Sequence, residues 1–105
     1  MPQAFPVAAV SDVPSGTAKE VLAGDQVIAL FNVEGTFYAL DGVCPHAGGP
    51  LGEGTLRGSI ITCPWHGWQF DVTSGQNCLN ARICHTKFAT RIEGDRVIVE
   101  IPDSQ

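Results

Sequence analysis

Apolar residues along this chain come in short runs that fit β-strands better than helices. The run Gln26–Val33 predicts a strand, and the dipeptide formed by Glu34 and Gly35 predicts a tight turn after it. Residues 36–40 then predict the returning strand. The pattern therefore indicates an antiparallel hairpin in the first half of the chain.

A second hairpin is predicted near the end of the chain. Residues 88–92 and Arg96–Ile101 predict its strands, and the second of these is dense in β-branched residues. Glu93, Gly94 and Asp95 predict the connection between them.

Three further segments complete the predicted elements. Residues 5–10 and 59–62 predict short strands, while residues 14–22 fit either a short turn of helix or a strand. So many short strands predict an all-β fold, either an antiparallel β-sandwich or a small barrel.

Residues 42–75 differ from the rest of the chain. They hold eight of the twelve glycines, three of the seven prolines, both tryptophans and two of the three histidines. Glycine and proline at this density predict turns. We therefore expect a loop-rich insert between two strands.

Length and charge narrow the class of protein. A chain of 105 residues that is 44% hydrophobic predicts one domain, residues 1–105, with a core that needs no disulfides. The net charge is −5 and the acidic residues are spread out, which argues against nucleic-acid binding and against a basic membrane-surface helix. Acidity suits a basic docking face on a partner, and it equally suits plain solubility.

The sequence also favours a cytoplasmic location. No apolar run approaches the roughly 20 residues of a membrane span. The first residues lack the basic start and apolar stretch of a secretory signal. We expect a protein that does not contact membranes and whose thiols stay reduced.

The insert contains paired cysteine and histidine residues. Cys44 and His46 are separated by one residue, and Cys63 and His66 follow sixteen residues later in the pattern C-x-H-x16-C-x2-H. Two thiolates and two imidazoles suit either tetrahedral zinc or an iron–sulfur centre. Zinc modules usually pair like with like, whereas each half here is mixed, which favours a two-iron cluster whose irons take different ligands.

These two segments resemble the cluster loops of the Rieske family. The resemblance extends over most of the chain, and the residues that carry it are Cys44-Pro45-His46 and the stretch from Cys63 to Asp71. It implies an antiparallel β-sandwich with an inserted cluster-binding subdomain at about residues 42–75. It also implies one [2Fe–2S] cluster, with Cys44 and Cys63 on a buried iron and His46 and His66 on an outer iron.

Within that family the chain is most similar to the ferredoxins of bacterial aromatic-ring dioxygenases, of the biphenyl and naphthalene dioxygenase type. The resemblance implies a monomeric electron carrier rather than an enzyme. It would take single electrons from a flavin-containing reductase and pass them to a terminal oxygenase.

Two other functions stay open at this stage. The small subunit of assimilatory nitrite reductase resembles the same fold, although many such subunits lack some of the ligands. A structural zinc module would use the same four donors for one metal ion.

The resemblance also implies a low reduction potential. High-potential relatives place hydroxyl side chains where this chain has Trp68 and Phe70, and they join two further cysteines where it has Gly49 and Trp65. A centre without those hydroxyl donors is expected near −150 mV, at the low end of the Rieske range.

Several residues around the motif have structural interpretations. Trp65, Trp68 and Phe70 are expected to cover the loops, and Asp71 to accept backbone amides of a turn. His85 is expected to be structural or exposed.

A third loop at residues 78–84 lacks the proline that many relatives have there. Cys78 and Cys84 at its two ends are expected to be free thiols, and a disulfide between them is the alternative.

Overall fold

The protein is described here by a computed structural model, which covers residues 3–43, 50–65, 67–79, 82–83 and 85–102. Over these residues the chain forms β-strands joined by turns, with two short 3₁₀ helices at Val10–Asp12 and Leu51–Glu53. The strands are β1 (Gln3–Ala9), β2 (Ala18–Ala23), β3 (Gln26–Val33), β4 (Thr36–Asp41), β5 (Thr55–Arg57), β6 (Ile60–Thr62), β7 (Gln69–Asp71), β8 (Lys87–Glu93) and β9 (Arg96–Ile101).

Six of these strands form one antiparallel sheet in the order β1-β9-β8-β4-β3-β2. The predicted hairpin of β3 and β4 is confirmed, with Val33 paired to Thr36. Glu34 and Gly35 form its turn with φ of 52° and 91°. Positive φ at both central residues gives a turn whose twist matches that of the strands.

The predicted hairpin of β8 and β9 is also confirmed, and Glu93 pairs with Arg96 around a two-residue turn. The ambiguous stretch at residues 14–22 contains β2 and no helix. Val21 and Ala23 alternate inward along β2, while Leu22 points out, which is the pattern of a strand with one buried face.

The predicted loop-rich insert contains a second, three-stranded sheet in the order β5-β6-β7. Of its strands only β6 was predicted, as residues 59–62. All three strands have three residues, but β6 consists of the β-branched residues Ile, Ile and Thr, whereas β5 and β7 each have one apolar residue between two polar ones and carry no such signal.

The strand β3 is buried on both faces and divides the interior into two cores. Ile28 and Leu30 face a core inside the six-stranded sheet, whose edge strands β1 and β2 touch each other. Ala29 and Phe31 face a second core, which we call the site-side core. Its buried members are Ala29, Phe31, Leu40, Leu51, Ile61, Cys63, Phe70 and Val72.

This double burial explains why the β3 sequence is a nearly continuous apolar run rather than an alternating one. The site-side core joins the large sheet to the three-stranded sheet, because its members come from both. No helix among the described residues is long and apolar enough to cross a membrane.

Candidate metal centre

The first predicted ligand loop is closed at its base, because the chain before the loop pairs with the chain after it. Gly42 N–H donates to the Val27 carbonyl at 2.9 Å, and Leu51 N–H donates to the Gly42 carbonyl at 3.0 Å. Val43 and Pro50 form a β-bridge between the two ends of the loop. Residues 44–49, which include Cys44 and His46, lie outside the described residues. The structure therefore describes the base of this loop and not its ligands.

The second predicted loop connects β6 to β7. Cys63 N–H donates to the Trp68 carbonyl at 2.7 Å, which closes the turn. Gly67 has a φ of 73°, a left-handed conformation that glycine adopts at little cost. Cys63 itself is only 1% exposed, whereas Trp65 is 50% exposed. His66 lies outside the described residues.

The bases of the two loops are packed together. Leu51 directly follows the bridge residue Pro50, and it shares the site-side core with Cys63. At Gly54 an added Cβ would overlap the carbonyl oxygen of Thr62, the residue before Cys63. The chain after the first loop thus lies against the strand that leads into the second loop.

Cys63 is the one predicted ligand whose place is described. A cysteine buried in an apolar core is often only a small hydrophobic residue. The described residues gather no group of three or more histidine, cysteine or acidic side chains. Because three of the four predicted ligands lie outside the described residues, the ligand set stays a prediction.

A third loop begins beside the second one. Cys78 N–H donates to the carbonyl of Gln69 at 2.9 Å, and Asn77 N–H donates to the carbonyl of Ile83 at 2.8 Å. Leu79, which follows, is 96% exposed. The Cys78 thiol is exposed, and Cys84, its suggested disulfide partner, lies outside the described residues.

The expected covering residues differ in depth. Phe70 is fully buried, and Trp68 is partly buried with its ring tilted 46° to that of Phe70. Trp65 is the most exposed of the three, with half of its surface facing solvent, and its covering role stays a prediction. The expected role of Asp71 is confirmed, since its Oδ1 accepts the Thr73 N–H at 2.9 Å.

His85 is the residue near the site whose place the sequence did not resolve. It is 7% exposed, its Nε2 lies 2.6 Å from the Asp41 carbonyl oxygen, and its ring lies against Phe70. Burial lowers the pKa of His85 below its usual 6.5, and the hydrogen bond to Asp41 and the Asp41 charge only partly offset this. The imidazole is therefore a structural group rather than an exposed one.

The donor chemistry fits the implied cluster. Cys63, buried in the protein interior, would supply one thiolate, and a second thiolate with two imidazoles would complete the donor set of a Rieske centre.

Comparison with known proteins gives a consistent result. The family model described as the Rieske [2Fe-2S] domain matches residues 3–89. The ferredoxin component of the alkene monooxygenase system of Xanthobacter autotrophicus is 37% identical over 89% of this chain and 77% of its own length. The 3-phenylpropionate/cinnamic acid dioxygenase ferredoxin subunit of Escherichia coli is 36% identical over 91% of this chain and 92% of its own.

Solved structures agree with these relatives. A chain in the complex of reduced oxygenase and oxidized ferredoxin in carbazole 1,9a-dioxygenase has a TM-score of 0.83 at 33% identity, covering 91% of each chain. The Sphingomonas yanoikuyae B1 ferredoxin has a TM-score of 0.85 at 27% identity, covering 95% of this chain and 100% of its own.

Proposed function

Because this chain belongs to the Rieske [2Fe–2S] family, we propose that it takes single electrons from a flavin-containing reductase and delivers them to a ring-hydroxylating terminal oxygenase. It carries one [2Fe–2S] cluster and is an electron carrier rather than an enzyme. The observation that supports the oxygenase partner is that curated relatives matching about nine-tenths of the chain are ferredoxin components of oxygenase systems.

The proposed ligands are Cys44 and Cys63 on the inner iron and His46 and His66 on the outer iron. The change in solvent exposure along the second loop supports this assignment. Cys63 is buried, whereas Trp65 and Gly67, the neighbours of His66, are exposed. A loop that starts in the core and reaches the surface would hold a thiolate inside and an imidazole outside.

When bound, the cluster takes up and releases one electron at a time. The chain's own residues hold the ligands and exclude water. The Val43–Pro50 bridge and the Cys63–Trp68 hydrogen bond close the bases of the loops. Phe70 and Leu51 keep water from the sulfur of Cys63. Electrons would leave on the histidine side, where the route to solvent is shortest.

The proposal also covers the domain organisation, the location and the oligomeric state. We take residues 1–105 as one Rieske domain with a cluster-binding subdomain at about residues 42–75, supported by the separate three-stranded sheet there. We take the carrier to be a cytoplasmic monomer. Light scattering of the red-brown protein would contradict this if it gave the mass of a dimer.

Replacing the ligands one at a time tests the assignment. Cys63→Ser and His66→Ala should each lose most of the iron and the visible absorption, because a cluster with three ligands is readily lost. Cys78→Ser is the matched control, since Cys78 is an exposed cysteine outside the motif. It should keep two iron and two sulfide per chain. Wild-type protein with one zinc and no colour would overturn the proposal in favour of a zinc module.

Spectroscopy and potentiometry test the type of cluster. The reduced protein should give an electron paramagnetic resonance signal whose average g value is below that of all-cysteine clusters. The midpoint should lie near about −150 mV, because neither Trp68 nor Phe70 supplies a hydroxyl to the cluster. A midpoint well above zero would contradict assignment to this subgroup.

The partners are tested by reconstitution. The protein reduced by an NADH-dependent flavin reductase should be reoxidised by an oxidised terminal oxygenase, and continuous turnover should require oxygen and an aromatic substrate. Intact protein that fails this transfer and co-purifies with a sirohaem protein would instead be a nitrite reductase subunit.

A further inference from the structure

His85 is a buried imidazole that the proposed ligand set does not use. It lies two residues before β8, between the large sheet and the three-stranded sheet. Its ring faces Asp41 and Phe70, while its backbone N–H and carbonyl both face Gly75.

On one side His85 holds the residue from which the first ligand loop starts. Its Nε2 lies 2.6 Å from the Asp41 carbonyl oxygen, and because a carbonyl only accepts, Nε2 carries the proton and donates. The Asp41 N–H donates to the carbonyl of Thr86, the next residue, at 2.9 Å. Asp41 Oδ1 in turn accepts the Val43 N–H at 3.0 Å. The backbone carbonyl and the backbone N–H of Asp41 are therefore both hydrogen-bonded to residues 85–86.

On the other side His85 contacts the strand that follows the second ligand loop. Its ring centroid is 5.5 Å from that of Phe70, with the planes tilted by 33°. Phe70 pairs with Ile61 in β6, the strand that leads to Cys63. Through Phe70, the imidazole is one side chain away from the base of the second loop.

The backbone of His85 fixes the turn after β7. The His85 N–H donates to the Gly75 carbonyl at 2.7 Å. An added Cβ at Gly75 would lie 2.5 Å from the His85 carbonyl oxygen, so only glycine fits this close approach. The turn after β7 thus fixes the backbone of His85, and with it the position of the imidazole.

We propose that His85 is a positioning residue for the cluster, acting as a brace that sets the distance between the bases of the first and second ligand loops. This inference rests on the proposed function, because it takes those loops to carry the ligands. A cluster needs all four donors at fixed separations, so a loosened Asp41 lets the first loop move away from Cys63. The cluster then dissociates faster and solvent reaches it more easily.

Three substitutions separate the hydrogen bond from the packing. In His85→Gln the amide nitrogen is as many bonds from the backbone as Nε2, so it can still donate to Asp41. His85→Asn carries the same amide one bond shorter, out of reach of that carbonyl. His85→Leu keeps apolar bulk against Phe70 but has no donor. The Gln and Asn variants are a matched pair, since they differ by one methylene.

The main readout is the rate at which visible absorption is lost in a chelator at pH 7.5. A buried carbonyl deprived of its donor is destabilising enough to give about a tenfold faster loss in the Asn and Leu variants. The Gln variant should stay within about threefold of wild type. The midpoint and the resonance linewidth of the reduced cluster should change in the Asn and Leu variants and not in the Gln variant.

Equal rates, midpoints and linewidths in all four proteins would overturn the inference. If the Asn and Leu variants do not fold, nitrogen-15 NMR of histidine-labelled wild-type protein decides it. Nε2 of His85 must then be protonated with Nδ1 bare, and the opposite tautomer would refute the brace. Wild-type protein without any cluster would instead refute the proposed function, so the two failures are distinguishable.

Discussion

The pKa of His85 is set by two opposing influences. Burial removes water that would solvate the imidazolium, which lowers the pKa, while the hydrogen bond to the Asp41 carbonyl and the Asp41 charge raise it by less. The pKa in the folded protein is therefore below the 6.5 expected for the unfolded chain. Protonation would place a charge beside Phe70, an apolar neighbour with no compensating acceptor.

This depressed pKa predicts loss of stability in mild acid. The unfolded chain binds the proton more readily than the folded one, so the stability contribution is complete above pH 6.5 and falls as the pH drops below it. The urea concentration that unfolds the holoprotein should decrease more between pH 7.5 and 5.5 for wild type than for His85→Gln. The difference between the two proteins in this urea concentration leaves out the contribution of the other histidines, which both proteins contain. Parallel pH profiles for the two proteins would contradict the shift.

At the scale of elements, the site depends on how closely the two sheets approach. The strand β3 presents Ile28 and Leu30 to one core and Ala29 and Phe31 to the other, so the three-stranded sheet rests on a surface that β3 supplies. Within the three-stranded sheet the chain is tightest where Gly54, the residue before β5, lies against Thr62 of β6. The backbone of Gly54 is extended, with a φ of −77°. This position requires glycine because of space and not because of backbone conformation.

Gly54→Ala should therefore damage the site through a steric clash. Its Cβ would overlap the Thr62 carbonyl oxygen and force apart the segments that precede Cys63 and follow the first loop. We expect a destabilisation of about 1–3 kcal/mol and faster loss of the cluster in a chelator. Gly16→Ala is the control, since its Cβ meets nothing within 4 Å but φ is +83°. It should cost about 1 kcal/mol and leave cluster retention unchanged.

At the scale of the whole molecule, the large sheet has two different ends. At one end β4 finishes at Asp41 and β8 begins at Lys87, and the first predicted ligand loop starts there. At the other end lie the turns at residues 34–35 and 94–95. Leu79, in the third loop beside the second ligand loop, and Ile92, next to the opposite turn, are both exposed apolar residues. A carrier that docks through its ligand loops would use Leu79 and not Ile92.

Leu79→Ser should slow electron transfer to the oxygenase by about three- to thirtyfold, because an exposed leucine at a docking face loses its apolar contact. Ile92→Ser is the matched control and should leave the rate unchanged. Stopped-flow reoxidation of the reduced variants measures both rates. The midpoints should equal that of wild type, which separates docking from redox tuning. Equal slowing by both substitutions would contradict docking at the loop end.

Some of this description could be predicted from the order of residues alone. Local signals are enough where an element depends on its own sequence: β-branched runs predict β3 and β9, and Glu34 with Gly35 predicts the turn between β3 and β4. The spacing of Cys44, His46, Cys63 and His66 likewise predicts a ligand set without any structure, because metal chemistry restricts which donors can be combined.

Other features depend on contacts between distant segments, and only the tertiary structure decided them. The strands β5 and β7 carry no strand signal of their own and exist because β6 lies between them. His85 is 44 residues from Asp41 in sequence, so no local signal distinguishes it from an exposed histidine. The need for glycine at position 54 arises from Thr62, a neighbour only in space. Sequence determines local conformation and donor chemistry, whereas long-range packing determines which backbone groups meet.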